Sequence, residues 1–227
     1  MRRVQKLSVL LAVMLLTAAS VRHLWPEEMP SMQFRDEFTT LDTDRWTAGK
    51  EHTLGRSVMK PGNVDVEDGT LRLKMSPGVL DGAEVKTLAA APAGVLEARL
   101  KLADAPTSVT GLFFYAPPDL AQEIDIELYN QPAGRIRFTS YSGGALTHTS
   151  EQALPFDPTA DFHLYGIAPT PTGVEFYVDH ELVEAWDGGV PREPMNVYLN
   201  TWYPQWLAGK PASGVRYTTV DYVAHRQ

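Results

Sequence analysis

The 227-residue chain contains no cysteine, which removes disulfides, thiolate metal sites and a cysteine nucleophile together. Basic residues are too few for a nucleic-acid surface: 20 Lys and Arg stand against 28 Asp and Glu, a formal charge of −8, so nucleic acid is not an expected partner. Long apolar runs are lacking beyond Leu7–Ala19, and that run is shorter than the ~20 residues a membrane span needs. Helical periodicity is scarce as well. No segment keeps a capped helical repeat beyond about three turns, and the best candidate, Leu54–Met59, is too short.

What the chain does have is a core-forming composition, 44% apolar with 8 Phe, 9 Tyr and 5 Trp, cut by 17 Gly and 17 Pro. Many short strands between turns are expected, not long helices. Residues 1–20 place Arg2, Arg3 and Lys6 ahead of the apolar run and end in Ala18, Ala19 and Ser20, the pattern of a secretory signal peptide, with an uncleaved signal anchor as the alternative. Its removal would leave 17 basic against 28 acidic groups, a charge of −11. An acidic, secreted or periplasmic protein is expected, stabilised by packing and without membrane contact once the signal is cleaved. Residues 21–33, with Pro26 and Pro30, read as a linker or N-terminal arm, and residues 34–227 as one domain.

Within that domain apolar residues recur at every second position in short bursts. Leu71, Leu73 and Met75 follow the turn signal Glu67-Asp68-Gly69; Ile136 and Phe138 alternate with Arg135, Arg137 and Thr139; Val174, Phe176 and Val178 alternate with Glu175, Tyr177 and Asp179. Tyr198, Asn200 and Trp202 share one parity, and Val215–Val223 again reads as a strand. Strands at such spacing predict an all-β sandwich of two packed antiparallel sheets.

The segment Glu123-Ile124-Asp125-Ile126-Glu127-Leu128-Tyr129 carries the chemistry. On a strand Glu123, Asp125, Glu127 and Tyr129 project from one face and Ile124, Ile126 and Leu128 from the other. Carboxylates about 6.6 Å apart at Cα repel one another, a burden that a merely solvated face would not need. Retaining glycoside hydrolysis gives the burden a purpose, because it uses two carboxyls about 5 to 5.5 Å apart, one ionised and one protonated. Asp125, beside both, would share a proton or hydrogen bond with Glu123 and help keep Glu127 protonated. A hard-cation site is the competing reading, strained by the roughly 13 Å end-to-end spread.

Glu-Ile-Asp-Ile-Glu resembles the signature of glycoside hydrolase family 16, the lichenase, laminarinase and xyloglucan transglycosylase group, in the form lacking an inserted residue. The resemblance extends from Phe34-Arg35-Asp36-Glu37-Phe38 and Arg45-Trp46, through Gly94–Arg99 and Phe162–Tyr165, to Leu199-Asn200-Thr201-Trp202 and Trp206-Leu207. It implies a β-jelly-roll sandwich with a concave substrate groove, in which Glu123 is nucleophile, Asp125 the assisting acid and Glu127 the acid/base. By the same resemblance Glu84, Tyr141, His148, Asn200, Trp202 and Trp206 fall at groove positions, whereas Tyr203 has no such support. Arg137 and Thr139 stand where lichenases carry amides, and alternation turns Arg137 to the groove, where a guanidinium suits an acidic polysaccharide. The resemblance also implies a structural calcium held by backbone carbonyls at Glu37 and Gly69 and by Asp221, with no cofactor required for the chemistry. The expected activity is retaining endo-hydrolysis, by a monomer, of β-1,3-1,4- or β-1,3-glucan or a related exopolysaccharide. Transglycosylation and non-catalytic glycan binding are the alternatives, and the presence of all three acids weighs against the last.

Overall fold

The computed structural model describes residues 30–227; the signal segment and most of the expected arm lie outside the described residues. Strands are numbered in chain order. One sheet runs β15 (Glu181–Asp187), β14 (Gly173–Val178), β13 (His163–Pro169), β8 (Val95–Lys101), β17 (Arg216–Arg226), β6 (Thr70–Met75) and β5 (Val64–Glu67), with β1 (Met32–Asp36) also paired to β17. The other runs β12 (Ala145–Ala153), β11 (Arg135–Ser142), β10 (Gln122–Tyr129), β9 (Val109–Ala116), β16 (Asn196–Trp202), β7 (Asp81–Thr87), β4 (Ser57–Met59) and β3 (His52–Leu54), with β2 (Trp46–Thr47) on β7. Pairing is antiparallel except for β4 on β7. The fold is the expected jelly-roll sandwich, and its only helical turn among the described residues is the 3-10 turn Pro61–Asn63. Among the described residues β1 begins at Met32, two residues before the expected domain boundary, and pairs with the end of β17.

The alternation read from the sequence is the cause of the layering. Ile124, Ile126 and Leu128 of β10 and Ile136 and Phe138 of β11 are all fully buried, and Phe138 meets Phe176 of the facing sheet at 4.7 Å between ring centroids. Two-residue turns hold the register. Asp68-Gly69 joins β5 to β6 with φ of 51° and 73°, and Asp179-His180 joins β14 to β15 with 49° and 65°; paired left-handed residues match the twist of a hairpin. The outer strands β12 and β15 are tied across the sandwich. Ser150 donates to Glu184 at 2.5 Å, Gln152 donates to the Val183 carbonyl at 3.0 Å, and His148 stacks on Trp186.

At the end of β10 a polar knot crosses the core. Asn130, fully buried, donates to Ser108 Oγ at 2.8 Å and Thr201 Oγ1 at 3.0 Å and accepts from Thr110 Oγ1 at 2.8 Å. Thr110 in turn meets Thr218 Oγ1 of the opposite sheet at 2.8 Å. Removing the amide leaves buried hydroxyls short of partners, each a penalty of about 1–3 kcal/mol. Asn130→Ala is expected to lose about 3 kcal/mol of unfolding free energy. Urea denaturation checks this, and a loss below about 0.5 kcal/mol would show the knot to be dispensable.

Candidate active site

With its apolar face committed to the core, β10 must present its acids to the outer face of its sheet. There they meet residues brought by register from strands far apart in sequence. One row of directly paired residues crosses six strands: Glu84 of β7, Asn200 of β16, Gly111 of β9, Glu127, Arg137 of β11 and Glu151 of β12. The next polar row on the same face sets Asp125 between Phe113 and Thr139, with Tyr198 beyond Phe113; the third sets Glu123 between Tyr115 and Tyr141. These rows form the floor of a cleft of about 710 Å³.

Of the groove residues expected from the sequence, all but His148 line this one cleft: Glu84, Glu123, Asp125, Glu127, Arg137, Tyr141, Asn200, Trp202 and Trp206. Trp206 stands 47% exposed at the wall, edge-on to Trp202 at 5.4 Å, an arrangement that offers aromatic surface to a sugar ring. Tyr203 is fully buried and accepts a hydrogen bond from the Ala212 backbone, so it is a core residue. His148 is outside the cleft lining, held by Trp186 and 3.1 Å from the Gly188 carbonyl oxygen.

Several lining residues were not read from the sequence. Phe113, Tyr115 and Tyr198 form an aromatic patch, with Phe113 and Tyr198 stacked at 5.0 Å. Gly111 makes room beside Glu127: a β-carbon there would lie 2.6 Å from Asn200 Oδ1. His52 closes one end, with Nε2 3.7 Å from Glu84 Oε1. Asp119, on the loop before β10, lies beside Tyr115, whose hydroxyl is pushed up to about 12 by burial and then by Asp119 and Glu123. Only the parity of Tyr198 with Asn200 and Trp202 on one strand hinted at any of these.

Burial dominates the electrostatics. It lifts Glu123 from an ordinary 4.5 to about 8, helped by the charges of Glu127 and Asp119. Asp125, 5% exposed, is raised well above its ordinary value by burial and then by both glutamates. Burial also lifts Glu127, to about 7, against the pull of Arg137. The trio therefore holds protons far longer than free carboxyls, and its titration belongs to the group. Among the described residues no hydrogen bond joins Asp125 to Glu123, and Asp125 Oδ1 is buried without a partner, while Arg137 and Thr139 beside it favour its ionised form against the burial.

Among the described residues no three His, Asp or Glu side chains converge as ligands of a cation, which leaves the hard-cation reading of β10 without geometric support. The positions expected to hold calcium lie elsewhere, at β1, the β5–β6 turn and β17. Asp221 Oδ2 accepts from Arg99 at 2.7 Å and Glu37 from Arg35 at 2.5 Å. Asp221, the one side-chain ligand of that expectation, is thus answered by a guanidinium, and calcium enters no step below.

Comparison with known proteins agrees with this geometry. The β-glucanase of Acetivibrio thermocellus is 26% identical over 202 residues, covering 82% of this chain and 60% of the relative. That of Fibrobacter succinogenes is 34% identical over 128 residues, covering 52% and 37%. The chain thus spans about 60% of the length of the first of these relatives. A crystal structure of a β-1,3-1,4-glucanase (lichenase) derived from a mouse hindgut metagenome superposes with a TM-score of 0.78 at 25% identity, covering 86% of this chain and 99% of that one. The Bacillus licheniformis β-glucanase gives the same TM-score at 23% identity, covering 88% and 100%, and shares the fold. The model of the glycosyl hydrolases family 16 matches residues 52–224, and the chain belongs to that family.

Proposed function

We propose that the chain is an exported endo-β-glycanase that hydrolyses β-1,3-1,4- or β-1,3-glucan, or a related exopolysaccharide, with retention of configuration. The observation that carries this reading is the trio Glu123, Asp125 and Glu127 on one strand face, set in a cleft with aromatic walls. The relatives' names, β-glucanase and lichenase, support the substrate class, and the basic-then-apolar start of the chain supports export.

In this reading the reactive form of the coupled pair has Glu123 ionised and Glu127 protonated, and the Glu123 carboxylate attacks the anomeric carbon while Glu127 gives its proton to the departing glycosidic oxygen. The covalent glycosyl-enzyme is then opened by a water whose proton returns to Glu127. A buried acid suits the donor role, because a carboxyl near 7 still holds its proton at working pH. Asp125, kept neutral by burial, adds no second charge beside the nucleophile. Glu84, Asn200, Tyr141, Trp202 and Trp206 hold the sugars in line.

Glu123→Gln and Glu127→Gln are each expected to lower kcat by at least about a thousandfold, since each deletes a chemical role; retention of more than a tenth of the activity would overturn the assignment. The product should emerge in the β configuration, as followed by NMR during early hydrolysis; an initial α-anomer would exclude a nucleophilic Glu123.

The raised carboxyls also predict the pH response of stability. Their folded values lie above the unfolded value near 4.5. Their protonated form thus favours the folded state, a contribution fully present below that value and lost as pH rises through 7 to 8. Melting curves from pH 5 to pH 9 should show Glu123→Gln gaining on the unsubstituted chain by about 5 °C at the alkaline end. A constant gap would contradict the burial argument.

A further inference from the structure

Arg137 is the one cation at the centre of the acid row, directly paired with Glu127 on one side and Glu151 on the other. Among the described residues it nevertheless has no carboxylate within ion-pair distance. Glu151 is taken by Arg135 and by the Tyr129 hydroxyl, the latter at 2.6 Å. The Arg137 guanidinium instead lies over the ring of Trp206, 5.4 Å from its centroid, and lines the cleft. A planar cation, set over an exposed aromatic wall with no carboxylate in ion-pair contact among the described residues, matches the two oxygens of a carboxylate.

We propose that Arg137 is the receptor for a carboxylate substituent on the glycan, so that the cleft selects an acidic derivative of a β-glucan over the neutral polymer. This rests on the glycanase reading above, and names its substrate more closely. The formal negative charge of the cleft is no bar, because burial raises all three carboxyls and the trio carries less charge near neutral pH than three free carboxylates would.

The same contact would aid the acid step. Groups facing Arg137 are Asp125 and Glu127 from β10, Tyr129 at its end, Tyr141 on its own strand and Glu151 from β12; its charge pulls each of them toward ionisation. For Glu127 this opposes the role of proton donor. A substrate carboxylate on Arg137 cancels much of that pull, so the protonated form of Glu127 gains when the acidic glycan is in place.

The test compares carboxymethylated with unmodified mixed-linked β-glucan, first in hydrolysis and then in binding to Glu123→Gln, which leaves the polymer intact. Wild type should favour the carboxymethylated polymer in kcat/KM. Arg137→Gln should lower that charged-to-neutral ratio by at least about tenfold, chiefly through KM, with Arg137→Lys in between. Adding Arg137→Gln to Glu123→Gln should lower the binding ratio likewise. Equal ratios with and without the arginine, in both hydrolysis and binding, would overturn the proposal. Absence of turnover on either polymer would sink the hydrolase reading alone, and the binding ratio would still decide the role of Arg137.

Discussion

The two-residue period of a single strand governs this molecule. Because Ile124, Ile126 and Leu128 are fully buried between the sheets, Glu123, Asp125 and Glu127 have only one direction left. Side chains that water would separate are thereby gathered where water is scarce. The core supplies the free energy for this, each buried aliphatic side chain contributing about 1.5–3 kcal/mol, and the raised carboxyls return part of it as a readiness to hold protons. Packing and chemistry are two faces of one strand.

That coupling explains what was legible in the sequence. Features that live along one strand could be read directly: the acid trio, the parity of Arg137 and Tyr141, and the hairpin at Asp68-Gly69. Family motifs added Glu84, Asn200, Trp202 and Trp206, and the structure draws all of them into one cleft. Features that depend on which strands are neighbours could not be read. Gly111 beside Asn200, His52 beside Glu84 and Asp119 beside Tyr115 arise from register and loop placement. The arginine that answers Asp221 is likewise a matter of local contact, not of motif.

The supporting structure is concentrated at the margins of the acid strand. Asn130 follows it immediately and knots both sheets through Ser108, Thr110, Thr201 and Thr218. On the far side, β12 is fastened to β15 by Ser150 and Gln152, which steadies Glu151, the outermost member of the Glu127 row. The site is thus held by the frame at the end of that strand and across it, while the flanking loops bring Asp119 and Trp206.

The row from Glu84 to Glu151 also acts as a ruler. Neighbouring strands stand about 4.8 Å apart, a distance comparable to one pyranose ring, so a linear glycan lying along the row would meet a fresh strand at nearly every sugar. Each strand then owns one address on the polymer. A change at one address retunes one sugar contact while the inward-facing residues that hold the sandwich stay as they are.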